Sequence, residues 1–465
     1  MAVLKPYLEY RDSGVPWLGE VPKHWKVQKL RTIMKGVTER NRPDLPLLSV
    51  VREKGVILRD ITEKGENRNF IPDDLSNYKV VREGQFVMNK MKAWQGSYGV
   101  SRYNGIVSPA YFVFDIHLVE GSYFHSAIRS KAYVPLFTQA SDGVRIGQWD
   151  LSQVRMKEIP LFIPSLAEQS AIVRFLDHMD RRIRRYIRAK QKLIKLLEEQ
   201  KQAIIHNAVT RGLDPNASLK PSGVEWLEDV PTHWNIVPGR SCFAINHRPN
   251  IGLAENTVLS LSYGRIVVKP KDKLHGLVPA SFETYQIIEP GDIICRPTDL
   301  QNDKTSLRFG FSGSRGIITS AYISLRTLEG LNKRFGYFLL PTYDLNKIFY
   351  GLGSGLRQNL DRQDFKTLPC LLPSIPEQAA IMSFLDEAIP SIDATKYHAE
   401  REISLLHEYH TRLISDVVTG KLDVRKIDIP ADDGAGTSKE DIEILDSEAT
   451  MEDQELQDEI PAEAD

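Results

Sequence analysis

Between Asn89 and Gly105 the chain reads NKMKAWQGSYGVSRYNG, interleaving cations, amides and aromatic rings in a glycine-rich stretch. Lys90, Lys92 and Arg102 are the kind of charge that neutralises phosphates. Asn89 and Gln95 carry the paired donor and acceptor that match an adenine edge, and Trp94 offers a flat face to a sugar or base. A similarly polar stretch, RPTDLQNDKTSLRFG, runs from Arg296 to Gly310, and its candidate contacts are Arg296, Thr298, Asp299, Gln301, Asn302 and Arg308. Two shorter segments have the same character: GVRIGQWD, with Arg145 and Gln148, and GSGLRQNLD, with Ser354, Arg357, Gln358 and Asn359. The chemistry these letters permit is recognition of a polyanion with readable edges. A polar surface loop would use the same letters, so the surrounding pattern has to decide.

That pattern contains no recognisable catalytic motif. A phosphate-cradling GxxxxGK[ST] loop is absent, and TGKLD at Thr419 imitates it poorly. HExxH, an Asn-Pro-Pro-aromatic box and a GxG loop after a strand are absent as well, while GLGSGL at Gly351 has the wrong spacing for a nucleophile elbow. His24 and His233 each precede a tryptophan, but no second ligand keeps their spacing, so packing or capping is their expected role. Cys242, Cys295 and Cys370 stand too far apart for paired zinc ligands or a disulfide framework, which fits a reducing cytoplasm. The chain reads as a binder, and no cofactor or metal is expected in it.

The elements that would position these loops are written twice. SGVPWLGEVPKHW (Ser13 to Trp25) returns as SGVEWLEDVPTHW (Ser222 to Trp234), 209 residues later. FIPSLAEQSAIVRFLD from Phe162 returns at the same offset as LLPSIPEQAAIMSFLD from Leu371, and AVTRGLD as VVTGKLD. Between these boxes the likeness is fainter: YKVVREGQFVM pairs with YQIIEPGDIIC, and GIVSPAYFVF with GIITSAYISL. The offset drifts there from 207 to 211, so loops of unequal length separate shared strands. One module has been duplicated, with a constant frame and a variable centre.

Each frame closes on a long helix. Ser165 and Ser374 precede Glu168 and Glu377 by three residues, the capping-box spacing. Counting in heptads places Ile172, Leu176, Met179, Ile183, Tyr186, Leu193, Leu197 and Ile204 on one seam, interrupted by Lys190 and Gln200. The second helix offers Ile381, Leu385, Ala388, Ile392, Ala399, Leu406, Tyr409 and Leu413, interrupted by Thr395 and Glu402. Such seams predict coiled-coil pairing, because roughly 40 residues of helix extend about 60 Å, more than a compact domain covers. The centres are β-branched, aromatic and punctuated by Gly and Pro, so each is expected to be a mixed α/β globule.

Charge supports a polyanionic partner once the tail is set apart. Residues 431–465 hold fourteen Asp/Glu and one lysine, a net −13, so the first 430 residues are +12 although the whole chain is −1. The tail has too little apolar material to fold, and no apolar run approaches the ~18 residues of a membrane span.

The repeated Trp box, the paired PS-x-x-EQ boxes and the variable loops resemble the specificity subunits of type I restriction-modification enzymes, over residues from about 13 to 423. The resemblance implies a mixed α/β fold with an internal pseudo-twofold repeat, in which two globular target recognition domains are joined by two long antiparallel coiled-coil helices. The expected organisation is an N-terminal segment and first recognition domain (1–164), a central helix (165–212), a linker and second recognition domain (213–373), a C-terminal helix (374–423) and an acidic tail (424–465). It further implies that each domain reads one half of a bipartite double-stranded DNA target, through the loop residues named above. Two adenine methyltransferase subunits would dock on the helices, carried over here to Ile172, Leu176, Ile183, Leu193, Leu197, Ile381, Leu385, Ile392, Leu406 and Leu413. S-adenosylmethionine, ATP and Mg²⁺ would belong to the methyltransferase and motor-nuclease partners, and the chain would be cytoplasmic and non-catalytic by itself. The acidic tail lies outside the family pattern. Two other readings stay open: a self-contained DNA-modifying enzyme with a diverged site, and a coiled-coil adaptor whose domains bind protein.

Overall fold

The computed structural model describes residues 4–52, 54–59, 72, 74–143, 149–269, 281–298, 300, 307–352 and 359–429. The chain divides into two units, one formed by residues up to Arg188 together with those from Glu402 onward, the other by Ala189–Arg401. The fold is mixed α/β, with two long helices, Leu166–Arg211 and Ile375–Val418. Each unit therefore holds the start of one long helix and the end of the other.

The strands expected from the faint internal likeness form matching sheets. In the first unit, four antiparallel strands run in the order Met34–Val37, Tyr111–Ile116, Phe86–Asn89, Tyr98–Val100. In the second the order is Phe243–Asn246, Ile323–Thr327, Ile293–Cys295, Phe309–Phe311. Beside each sheet lies a two-stranded pair built from the other repeated letters, Lys79–Val81 with Gly105–Val107 and Gln286–Ile288 with Gly316–Ile318. Apolar letters such as Phe86, Met88, Phe114, Ile293, Cys295 and Leu325 face the principal core of their unit, with helices Gly121–Ile128 and Lys333–Leu345 packed across.

The repeated Trp box is a clasp. Trp25 and Trp234 are fully buried, and each indole Nε1 donates to the glutamate of the EQ pair, Glu168 at 3.0 Å and Glu377 at 2.9 Å. His24 and His233 bond the same carboxylates through Nε2, at 2.9 and 3.1 Å. The expected capping boxes are thus only half made. Ser165 and Ser374 accept the Glu168 and Glu377 amides, at 3.3 and 3.4 Å, but the carboxylates turn to the Trp-His pair instead of the N-cap amide. An indole N–H sealed in a core needs an acceptor, which a carboxylate supplies better than water no longer present.

The glutamine of each EQ pair has a complementary role. Gln169 Oε1 accepts from Glu120 N at 2.8 Å while its Nε2 donates to Pro164 O at 2.9 Å. Gln378 repeats the pattern with Asn332 N at 2.7 Å and Pro373 O at 2.9 Å. Glu120 and Asn332 are the N-caps of the helices packed over each sheet. The clasp also closes on the far end of the other long helix. Gly420 and Gly212 both take φ +78°, and a Cβ at Gly420 would clash with Pro22 while one at Gly212 would press on Trp234. These two glycines are needed for backbone conformation and for close approach.

The long helices pair antiparallel within each unit. Asp180 meets His410 at 3.3 Å in the first, while Lys201–Asp393 at 2.7 Å and Lys396–Glu198 at 3.0 Å cross the second. On the heptad seam of the second helix Ile381, Leu385, Ile392, Ala399 and Leu413 are buried and Ala388 and Leu406 half-buried, while Tyr409 is exposed. On the first helix the seam holds through Ile183 and then slips by one residue. Tyr186 and Leu193 are exposed, and Ile187 and Ile194 turn inward in their place. The cause is geometric: a straight helix turns once per 3.6 residues and drifts about 20° per heptad from a strict 3.5 repeat. No helix among the described residues is long and apolar enough to cross a membrane.

Candidate nucleic-acid interface

In each unit described residues of the two candidate segments, far apart in sequence, meet just past the strand Phe86–Asn89 or Ile293–Cys295. In the first, Leu151 N donates to Lys90 O at 3.1 Å, Lys90 Nζ pairs with Asp150 at 3.1 Å, and the Trp94 and Trp149 rings lie 5.3 Å apart. In the second, Leu360 N donates to Pro297 O at 2.9 Å. Leu151 and Leu360 are 209 residues apart, so the variable loops converge by the same device in both copies.

The individual residues have unequal standing. Lys92 and Arg102 are exposed, Lys90, Trp94 and Gln95 are half-buried, and the Trp94 Nε1 has no hydrogen-bond partner. Asn89 departs from expectation. It is buried, its Oδ1 accepts from Met91 N at 3.1 Å and its Nδ2 donates to Tyr111 Oη at 3.3 Å, so the amide shapes the turn instead of facing a base. Arg296 is half-buried, while Thr298 and Asn359 are exposed. Arg145, Gln148, Asp299, Gln301, Asn302, Ser354, Arg357 and Gln358 lie outside the described residues.

Arg308 is a clear correction. Its side chain and that of Asp344 are wholly inaccessible and bonded at 3.1 Å, and its Nη1 donates to the carbonyls of Arg296 and Thr298 at 3.2 and 3.4 Å. The guanidinium also lies over the Tyr350 ring at 5.5 Å. A buried charge has to be paired, and a planar five-donor fork is suited to tying a carboxylate and two carbonyls together. Arg308 is therefore the pin that holds both ends of the second-unit loop. In the first unit a different residue serves as the pin. Arg129 donates to Gly96 O and Tyr98 O, and to Arg52 O at 2.7 Å. Beside it the half-buried His125 accepts from Val100 N at 3.1 Å through Nδ1. Burial and then the charges of Arg129 and Arg102 push its pKa down to about 3, so it stays a neutral acceptor.

Sequence reading missed a cationic group behind the first loop. Burial, then the proximity of Arg40 and Lys90, holds the Lys79 ammonium below its ordinary value, which marks these three as one positive cluster. The only sequence signal was that Lys79 stands where the other copy has Gln286.

The helix residues carried over as partner contacts also need correction. Ile172, Leu176 and Leu413 are buried in the first unit's core, and Ile381 and Leu385 in the second's. Ile183 and Ile392 are buried too, and Leu197 and Leu406 half-buried, so only Leu193 presents much apolar surface. A helix that packs on its own unit hides the residues that make its seam. Other exposed apolar side chains of the helices include Leu166, Tyr186, Leu405 and Tyr409 in the first unit and Leu196, Ile375, Phe384 and Tyr397 in the second.

The architecture so defined is an internally duplicated α/β protein with two long paired helices and a loop cluster on each sheet. A chain solved in work on complex assembly and conformational transition of the type I R-M system shares this fold, with a TM-score of 0.61 and 16% identity over 86% of this chain and 99% of that one. Two further structural neighbours are the HsdS subunit from Thermoanaerobacter tengcongensis (16% identity, 86% and 98% covered, TM-score 0.48) and the type I restriction-modification S subunit from M. genitalium (10%, 89% and 98%, 0.33). No family model and no curated protein sequence matches the chain. The likeness to the first of these shows a fold shared with a chain of a type I R-M system.

Proposed function

We propose that the chain is the DNA-specificity subunit of a type I restriction-modification complex, each unit reading one half of a split double-stranded target. The observation that carries this reading is the duplicated loop convergence, Leu151 on Lys90 and Leu360 on Pro297, set on a frame that recurs in both copies. A fixed frame with divergent loops is what a reader of two unlike half-sites requires. The shared fold with a type I R-M component supports it. In this reading the long helices receive two adenine methyltransferase subunits, and the exposed Tyr186, Leu193, Leu196, Tyr397, Leu405 and Tyr409 take the docking role from the buried seam. S-adenosylmethionine, ATP and Mg²⁺ belong to the partner subunits, and this chain supplies specificity.

The decisive experiment exchanges residues 26–158 for the equivalent part of a related chain, followed by methylome sequencing of the host. One half of the methylated motif is expected to change and the other to persist; an unchanged motif refutes the assignment. Replacing Lys92 and Arg102 with glutamine is expected to weaken binding to all duplexes alike. It should also lower the slope of log K against log salt by about 0.9 for each phosphate that is no longer neutralised. A loss confined to one sequence would mean that these side chains read bases.

A further inference from the structure

Two charged features have no part in this reading: the arginine-rich run after Asp180, and the acidic tail. The last described residues before the tail lie beside those arginines, within the first unit. After the second long helix the backbone turns at Gly420, Asp423 bridges Lys5, and Arg425 pairs with Asp423 at 2.7 Å while lying 4.9 Å over the Tyr7 ring. Ile427 and Ile429 then pack against the core. They end in a cavity of about 390 Å³ lined by Arg174, Asp177, Arg181, Ile427, Asp428 and Ile429.

Arg174, Arg181, Arg185 and Arg188 follow one another at spacings of seven, four and three, which places them on one stripe of the helix. Arg174, Arg181 and Arg185 are exposed and Arg188 is half-buried. Asp177 stands among them, and its carboxyl is raised by burial while Arg102 and Arg181 oppose that rise, so the loop arginine Arg102 shares the same field. The stripe is roughly 21 Å long at 1.5 Å per residue. The 36 residues beyond Ile429 are more than enough chain to reach along it, since each residue can extend by up to roughly 3.3–3.6 Å.

We propose that residues 431–465 dock on this arginine stripe of their own chain and act as an internal polyanion that competes with duplex phosphates. Fourteen carboxylates against one lysine supply the complementary charge. Tethering gives an effective concentration in roughly the millimolar range, sufficient to exclude DNA held by phosphate contacts alone. A duplex that also satisfies the reading loops displaces the tail, so the tail raises selectivity. The consequence for DNA rests on the function proposed above; the docking does not.

Docking is tested in the full chain carrying Arg181→Lys and Arg185→Lys. A carbodiimide is expected to join those lysines to tail carboxylates within one molecule, as read by mass spectrometry, and high salt should abolish the links. Absence of such links, or links that high salt leaves intact, would overturn the docking. The effect on DNA is tested with the methyltransferase-bound chain and a duplex lacking the target. Converting the fourteen tail carboxylates to amides is expected to tighten binding about tenfold near 50 mM salt, with the gain fading towards 200 mM. That gain should vanish when Arg174, Arg181, Arg185 and Arg188 are also glutamine. An unchanged affinity, or a gain that survives the arginine changes, refutes the competition. A complex that retards no duplex at all would refute the proposed function and leave the cross-linking result standing.

Discussion

Trp25→Ala is expected to destabilise the first unit by about 3–5 kcal/mol, and Trp234→Ala to do the same to the second. Both indoles are completely enclosed, so truncation opens a cavity that rigid surroundings fill only in part. It also takes a donor from a carboxylate. Glu168 keeps the Tyr7 hydroxyl at 2.8 Å as well as His24, whereas Glu377 is left with His233, so the second unit should suffer at least equally. Phenylalanine should recover most of the apolar contribution and leave the lost hydrogen bond, about 1–3 kcal/mol. Denaturant unfolding with a probe in each unit is the measurement. Each substitution should move the transition of its own unit first, and shifts below about 1 kcal/mol would mean that the clasp does not hold the helix starts.

Asp344→Ala is expected to cost about 3–5 kcal/mol in the second unit, because it takes a carboxylate at 3.1 Å away from a wholly inaccessible guanidinium. The double change Arg308→Met with Asp344→Leu removes the buried charge as well and should restore much of that stability, since well-packed apolar groups often replace a buried pair at little cost. The double variant would still lack the bonds from Arg308 to the carbonyls of Arg296 and Thr298. A stable protein with a loosened loop follows, and discrimination should relax in the half-site read by the second unit alone. Equal relaxation in both halves, or none, would show that Arg308 does not position the reading loop. Arg129→Met is the matching experiment for the first unit, where the pin comes from a helix C-cap.

Recognition of the fold from the letters rested on features that are local or repeated. The 209-residue echo, the Ser-x-x-Glu helix starts, the apolar periodicity and the turn-bounded β-branched runs each reflect the chemistry of neighbouring residues. They yielded the duplicated α/β frame and both long helices. The candidate segments were also legible, because loops rich in lysine, amide and aromatic letters stand out against a constant frame.

What the sequence by itself determined is therefore the architecture: one module written twice, closed by helices whose starts are encoded within four residues. The tertiary structure alone decided which letters face outward and which bond to what. Glu168 and Glu377 have the spacing of capping residues, yet an indole 143 positions away offers each a stronger partner in the core. Arg308 and Asn89 look like DNA contacts, yet a carboxylate on a distant helix and a tyrosine on the next strand hold them inside. Tyr186 keeps perfect heptad register and is still exposed, because helical phase accumulates along the chain until Ile187 turns inward. Partnerships between residues far apart in sequence depend on distances that only folding sets, and no spacing rule along the chain contains them.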